Sequence, residues 1–163
     1  MRCILLHLLF VGTLLGQPVM VAFGKEVSQT DTGLMLMTVM EGYAAAHGLT
    51  PTEDEMAPLK KKLGGDSPAA RALNFPFRIL LSHKLNQVWW GRHQGRLVLS
   101  AFGVHLATDA MLKEVVEMEK SGEVKFLDAA ARQKFFEYFD KYGGDGVLRG
   151  DRARALLAEG FPK

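Results

Sequence analysis

Carboxylates and glycines lie close together between residues 140 and 151, in the segment DKYGGDGVLRGD. Asp140, Asp145 and Asp151 offer side-chain oxygens, the ligands that Ca²⁺ prefers in proteins. The glycines between them favour a tight turn, because glycine adopts backbone angles that other residues avoid. We therefore regard the three aspartates as a candidate calcium site, and the sequence predicts no other cofactor.

This segment resembles the calcium loop of an EF-hand, since it lies between two predicted helices and carries Gly146 before an apolar pair. An EF-hand loop needs oxygen ligands at its first, third and fifth positions, glycine at its sixth and glutamate at its twelfth. With Gly146 at the sixth position, Lys141 takes the first. With Asp140 at the first position, Tyr142 and Gly144 take the third and fifth. At least two charged ligands are missing in either register, so a glycine-rich helix–turn–helix without metal is the alternative.

The sequence contains no linear signature of catalysis. Beyond the apolar start, the histidines are His47, His83, His93 and His105, and no two of them have the helical spacing that would predict a zinc site. No Gly-x-Ser-x-Gly segment is present, and the only cysteine is Cys3. We therefore predict that the protein is not an enzyme; an active site would need residues that converge only in space.

Aromatic and thioether side chains suggest binding to another polypeptide. Trp89 and Trp90 are adjacent in a predicted helix and point about 100° apart, so both are difficult to bury in a small domain. Met37 and Met40 lie on the first predicted helix, where flexible thioethers suit varied apolar partners. Tyr138 falls outside the apolar stripe of its helix. These five residues are the candidate partner-binding set, and a core role is the alternative for each of them.

The charge composition argues against nucleic acid as a partner. The chain has 163 residues, with 20 Lys and Arg against 18 Asp and Glu. A nucleic-acid surface would need a dominant basic field. The one basic run, 60–62, lies near three acidic residues and is typical of a solvated helix end.

The first 24 residues are typical of a cleaved export signal. A short basic start precedes the apolar run 3–15, and small residues at Ala22 and Gly24 fit the positions that a signal peptidase reads. We expect cleavage near Gly24, residues 25–163 as one domain, and a periplasmic or secreted protein that leaves the membrane. An uncleaved anchor is the alternative, because a membrane span needs about 20 apolar residues.

Apolar spacing and capping residues predict a mostly α, α+β domain with five to six helices and a short two-stranded β ribbon. The ribbon would pair residues 96–100 with 123–127. The predicted helices are 32–47, a short helix after Thr50, 77–90, one capped by Thr108 or Asp109 and ending at 120, 129–142 and 151–159. Asp31 or Thr32 would cap the first of them, and Asp128 would cap 129–142. Thr50 and Glu53 would form the capping box of the second helix, and Pro58 would shorten or kink it. The last helix belongs to a C-terminal helix–turn–helix tail.

Three stretches of this sequence resemble small exported bacterial proteins that are similar to the N-terminal helical domain of SurA-type periplasmic chaperones. They are GYAAAHGLTPTE at 42–53, HKLNQVWWGRHQGRLVL at 83–99, and residues 111–139, which read as a helix, a short strand, an aspartate cap and a Phe-rich helix. The resemblance covers most of 31–142 and departs from the family after Gly143. It implies that an apolar helical cradle binds unfolded or extended polypeptide without catalysis.

Overall fold

The computed structural model describes residues 17–63, 74–99, 105–141 and 146–158. In this part of the chain, the helices are α1 (Thr32–Ala46), α2 (Glu53–Lys62), α3 (Phe75–His93), α4 (Thr108–Ser121), α5 (Ala129–Asp140) and α6 (Gly150–Ala158). The strands are β1 (Met20–Ala22), β2 (Lys25–Val27), β3 (Leu97–Leu99), β4 (His105–Leu106), β5 (Val124–Phe126) and β6 (Val147–Leu148). The predicted α+β class, mostly α, is confirmed.

Side-chain caps fix the start of several helices. Asp31 accepts a hydrogen bond from the backbone N–H of Leu34 at 2.7 Å, and Asp128 caps α5 in the same way. The capping box of α2 is formed by Thr52 and Glu55, two residues after the predicted pair, so that prediction was wrong in register. Helix α2 continues past Pro58 to Lys62. Helix α4 begins after Ala107 without a side-chain cap, contrary to the prediction of a Thr108 or Asp109 cap.

The first sheet contains three antiparallel strands in the order β2–β1–β5. Strand β1 is therefore central: Val21 lies opposite Glu26 on one side and Lys125 on the other. The side chains of Met20 and Ala22 are fully buried. Phe23 and Gly24 form the turn between β1 and β2, so residues 19–24 belong to the same sheet as the segment that begins at Lys25.

The second sheet has the order β4–β3–β6, also antiparallel. Strand β3 pairs with β4 and β6, whereas β5 pairs with β1 in the other sheet. The predicted ribbon between 96–100 and 123–127 was therefore wrong. Both strand segments exist, but strands this short can find partners anywhere in the fold, and local patterns do not specify them.

One hydrophobic core joins the helices and the first sheet. Its most buried large side chains come from β1, α1, α3, β3, α4 and α5: Met20, Met35, Met40, Leu81, Leu85, Trp89, Leu97, Met111, Met118 and Phe135. Helix α3 packs most closely on α4, and also contacts α1, α2 and α6. In the described residues, none of the helices combines the length and apolarity needed to cross a membrane.

Candidate functional site

Trp89 and Trp90 are core residues, which corrects the prediction that one of them lines a partner surface. The side chain of Trp89 is 1% exposed and that of Trp90 is 8% exposed. The Trp90 indole donates a hydrogen bond to the Gly95 carbonyl at 3.0 Å, and the Trp89 ring meets Tyr43 edge-on with ring centroids 5.3 Å apart. Both tryptophans can be buried because α3 is covered by α1, α2, α4 and α6.

The other predicted partner residues divide between core and surface. Met40 is buried, so its predicted role in partner binding was wrong, and Met37 is only partly buried against the core. Tyr138 is 45% exposed, and its ring meets the buried Phe139 at 4.9 Å. Of the five residues, Tyr138 is the most exposed.

The candidate calcium residues already have cationic neighbours. The carboxylate of Asp140 lies 3.5 Å from the Arg96 guanidinium, and that of Asp151 lies 3.2 Å from Arg154. Arg96 also donates to Asp109, from its backbone N–H at 2.9 Å and from its side chain at 2.6 Å. Asp145 lies outside the described residues. The positive charge of Arg96 therefore already neutralises Asp140, the carboxylate that a calcium ion would need as a ligand.

A polar cluster that the sequence did not indicate connects α3 with α4 around the buried carboxylate of Glu114. Its side chain is 4% exposed. One carboxylate oxygen, Oε1, accepts a hydrogen bond from Arg92, and the other, Oε2, lies 2.6 Å from His93 Nε2. Arg92 also reaches the Tyr43 hydroxyl at 3.3 Å and Glu117 at 3.4 Å. Because both oxygens of Glu114 have charged or polar partners, its burial is compensated.

The cluster shifts the ionisation of two of its members. Burial, followed by the nearby negative charge of Glu114, raises the pKa of Tyr43 above its ordinary value of 10.0. Burial opposes the charge on Arg92, but Glu114 and Tyr43 together raise the pKa of Arg92 above its ordinary value. Both pKa shifts reinforce the forms that are already present at neutral pH, a protonated Tyr43 hydroxyl and a charged Arg92 guanidinium.

The outer edge of β5 offers main-chain hydrogen-bonding groups. Two bonds define the pairing with β1, from Phe23 N to Glu123 O at 2.7 Å and from Leu127 N to Val19 O at 2.8 Å. Hydrogen-bonded pairs alternate along an antiparallel ladder. The main-chain groups of Lys125 therefore face β1, while the N–H and C=O groups of Val124 and Phe126 point to the other side. Val124 is buried and Phe126 is partly buried, so the accessible part of this edge is its end at Phe126. Within the described ranges, the only strand that pairs with β5 is β1.

Apolar side chains lie beside this edge. Leu127 is 47% exposed, and Phe126 is partly buried, with its ring 6.2 Å from that of Phe136 on α5. The opposite edge of the sheet carries more charge: β2 has the exposed residues Lys25 and Glu26, whereas β5 has one exposed charged residue, Lys125. Charged edge strands resist pairing with other chains, so β5 is the less protected edge of the sheet.

The chain matches no family model, no curated protein and no solved structure in comparisons with all three.

Sequence reasoning missed the Glu114 cluster because its members come from three helices. The one linear signal is the spacing of Glu114 and Glu117, which places both on the same face of α4. It also missed the β5 edge, because the strand that pairs with β5 lies within the segment interpreted as an export signal.

Proposed function

We propose that this protein binds extended apolar polypeptide segments by adding them as a further strand to β5, as an exported, non-enzymatic and chaperone-like protein. The observation that carries the proposal is the outward-facing main chain of the partly buried Phe126, at the end of β5, beside the exposed side chain of Leu127. Strand addition obtains affinity from main-chain hydrogen bonds and selectivity from neighbouring side-chain pockets. This combination suits a binder that must accept many sequences.

The apolar surroundings of the β5 edge favour an apolar segment as the occupant. Phe126 and Phe136 extend the buried Phe135 cluster towards this edge, with ring centroids 5.5 and 5.6 Å from Phe135. Arg132 covers the Phe136 ring at 4.6 Å and pairs with Glu119, so the charges near the edge are internally balanced. A segment with alternating apolar side chains would place one row of them on the face of the sheet that carries Phe126, and its alternate residues on the face that carries Leu127.

The test is a fluorescence anisotropy titration of the full chain with a short labelled peptide of alternating valine and threonine. We expect saturable binding that Leu127→Ser weakens by up to about tenfold, because the variant loses apolar burial. The matched control is Leu34→Ser on α1, where the leucine is 44% exposed, and it should bind as the unaltered chain does.

A second peptide tests the binding mode. Methylation of alternate backbone nitrogens removes the donors that a strand needs while keeping the side chains. We expect this peptide not to bind. Equal binding of the two peptides, or equal weakening by Leu34→Ser and Leu127→Ser, would contradict strand addition at β5.

A calcium-binding module is the second candidate, and one observation favours it. The chain around the aspartates forms a helix, a short strand and a helix, and β6 pairs with β3, which itself lies between α3 and α4. Paired short strands also join the two loops of an EF-hand pair. The pairing of Asp140 with Arg96 and of Asp151 with Arg154 weighs against it. Thermal melting with calcium and with chelator decides, since a ligand of the folded state raises Tm.

A further inference from the structure

Three potential metal ligands converge where the end of α3 meets the middle of α4. His93 lies in the last turn of α3, and Glu114 and Glu117 lie one turn apart on α4. One ligand atom from each residue lies within 4.8 Å of the other two. The set joins an imidazole to two carboxylates on separate helices, so the fold itself brings it together.

We propose that His93, Glu114 and Glu117 bind a single divalent transition-metal ion, with Zn²⁺ as the best match. Zinc takes nitrogen and carboxylate ligands at about 2.0–2.2 Å, usually in tetrahedral geometry. Two ligands of one such ion lie about 3.3 Å apart. His93 Nε2 lies 2.6 Å from Glu114 Oε2 and 3.9 Å from Glu117 Oε2. Because the three ligand atoms all lie within 4.8 Å of one another, side-chain rotations that move them by about 1–2 Å would place them around one ion.

The protonation and net charge of the cluster are compatible with binding of a cation. His93 Nε2 must be free of hydrogen to bind the ion, so the imidazole proton resides on Nδ1 in the metal-bound form. Arg92 remains on Glu114 Oε1, which leaves Oε2 as the ligand, and its second terminal nitrogen lies 3.4 Å from Glu117 Oε2. Glu117 Oε2 would exchange this long contact for the ion. Outer hydrogen bonds of this kind orient ligating carboxylates. Two carboxylates and one guanidinium give the cluster one net negative charge, which favours a cation.

One of the three ligands is exposed to solvent, so an ion could reach the site from that side. The side chains of His93 and Glu114 are largely buried, whereas that of Glu117 is 50% exposed. The ion would enter from the Glu117 side, and water would complete the coordination there. The imidazole also distinguishes this site from the aspartates of 140–151, whose all-oxygen chemistry suits calcium.

The experiment is titration of the chelator-treated full chain with Zn²⁺ alone, followed by calorimetry. A parallel titration with Co²⁺ is followed by visible absorption. We expect one ion per chain and a tetrahedral Co²⁺ spectrum. Glu117→Gln and His93→Gln should each weaken binding at least tenfold and abolish that spectrum. Glu137→Gln is the matched control, because Glu137 is an exposed helix residue outside the cluster, and it should bind as the unaltered chain does.

Each variant is also melted without metal, which separates loss of a ligand from loss of the fold. Glu117 is half-exposed, so Glu117→Gln should keep the metal-free Tm and still lose affinity. The proposal is overturned if the chain shows no saturable binding of one ion. It is also overturned if Glu117→Gln and His93→Gln bind as tightly as Glu137→Gln, or if Ca²⁺ competes equally with Zn²⁺.

Discussion

The ring of Phe23, in the turn between β1 and β2, lies directly over Gly42 in the middle of α1. A Cβ added at Gly42 would come within 2.8 Å of the Phe23 Cβ and closer still to the ring. Phe23 has a positive φ of 49°, which a non-glycine residue rarely adopts. The contact therefore fixes the hairpin on α1, and glycine is the residue that permits it.

We expect Gly42→Ala to lower the free energy of unfolding by about 1–3 kcal/mol, because the added methyl group forces the turn away from α1. Chemical denaturation monitored by circular dichroism measures the change. Gly91→Ala is the control: its Cβ would meet nothing within 4 Å, and alanine favours a helix by up to about 1 kcal/mol. Equal losses in the two variants would contradict the role of the Phe23 contact.

A chain that begins at Lys25 should be far less stable than one that begins at Gln17. The shorter chain lacks β1, which supplies the buried Met20 and Ala22 and separates β2 from β5. Thermal melting of the two truncated chains compares them directly, and identical melting curves would show that β1 is dispensable. In an exported protein, we expect mass spectrometry to place the new N-terminus at or before Pro18.

Replacement of the buried carboxylate should destabilise the junction of α3 and α4. We expect Glu114→Gln to cost about 1–3 kcal/mol, because the amide cannot accept from both Arg92 and His93. Glu117→Gln, at a half-exposed position, should change the free energy of unfolding by less than about 0.5 kcal/mol. Urea unfolding of both variants provides the comparison, and a larger loss in Glu117→Gln would refute the central role of Glu114.

Two partly buried histidines should make stability fall as the solution becomes mildly acidic. Burial lowers the pKa of His83 and of His105 below the ordinary value of 6.5. Between the lowered pKa and 6.5 the unfolded chain binds more protons, so their contribution is complete above pH 6.5 and declines as pH falls through this window. The carboxylate of Glu55, whose pKa is lowered by Lys84, acts in the same direction only below its ordinary 4.5.

Tm measured against pH on both sides of 6.5 tests this expectation. His105→Thr places threonine, a residue that favours strands, in β4 and removes one titrating group. The slope of Tm against pH should therefore become shallower. The slope is the informative quantity, because the substitution also shifts Tm at every pH. An unchanged slope in His105→Thr and in His83→Gln would assign the acid sensitivity to other groups.

Much of the secondary structure could be predicted from local chemistry. Asp31 and Asp128 cap the helices that they were expected to cap, because a short side chain before an apolar stripe can satisfy free backbone N–H groups. The second helix shows the limit of this reasoning. Thr50 and Thr52 are each followed by glutamate three residues later, and the structure uses Thr52, whose partner Glu55 also pairs with Lys84 on α3.

The candidate site was less predictable, because exposure depends on what covers a residue. Two adjacent tryptophans on one helix seemed too large to bury together, yet helices on several sides of α3 bury both. Tyr138, by contrast, lies outside the buried stripe of its helix as expected. Helical spacing predicts which residues share a face of a helix, but it does not predict how many of those faces pack against other elements.

The sequence by itself determined the α+β class, the approximate positions of the helices and two of the caps, since these depend on residues within a turn or two of each other. Only the tertiary structure decided that β1 pairs with β5, that Phe23 rests on Gly42 and that His93 meets Glu114 and Glu117. In each case the partners lie about 20 to more than 100 residues apart. Such contacts form only when packing of the whole core brings the two ends of the intervening chain together, and no local sequence pattern specifies which ends will meet.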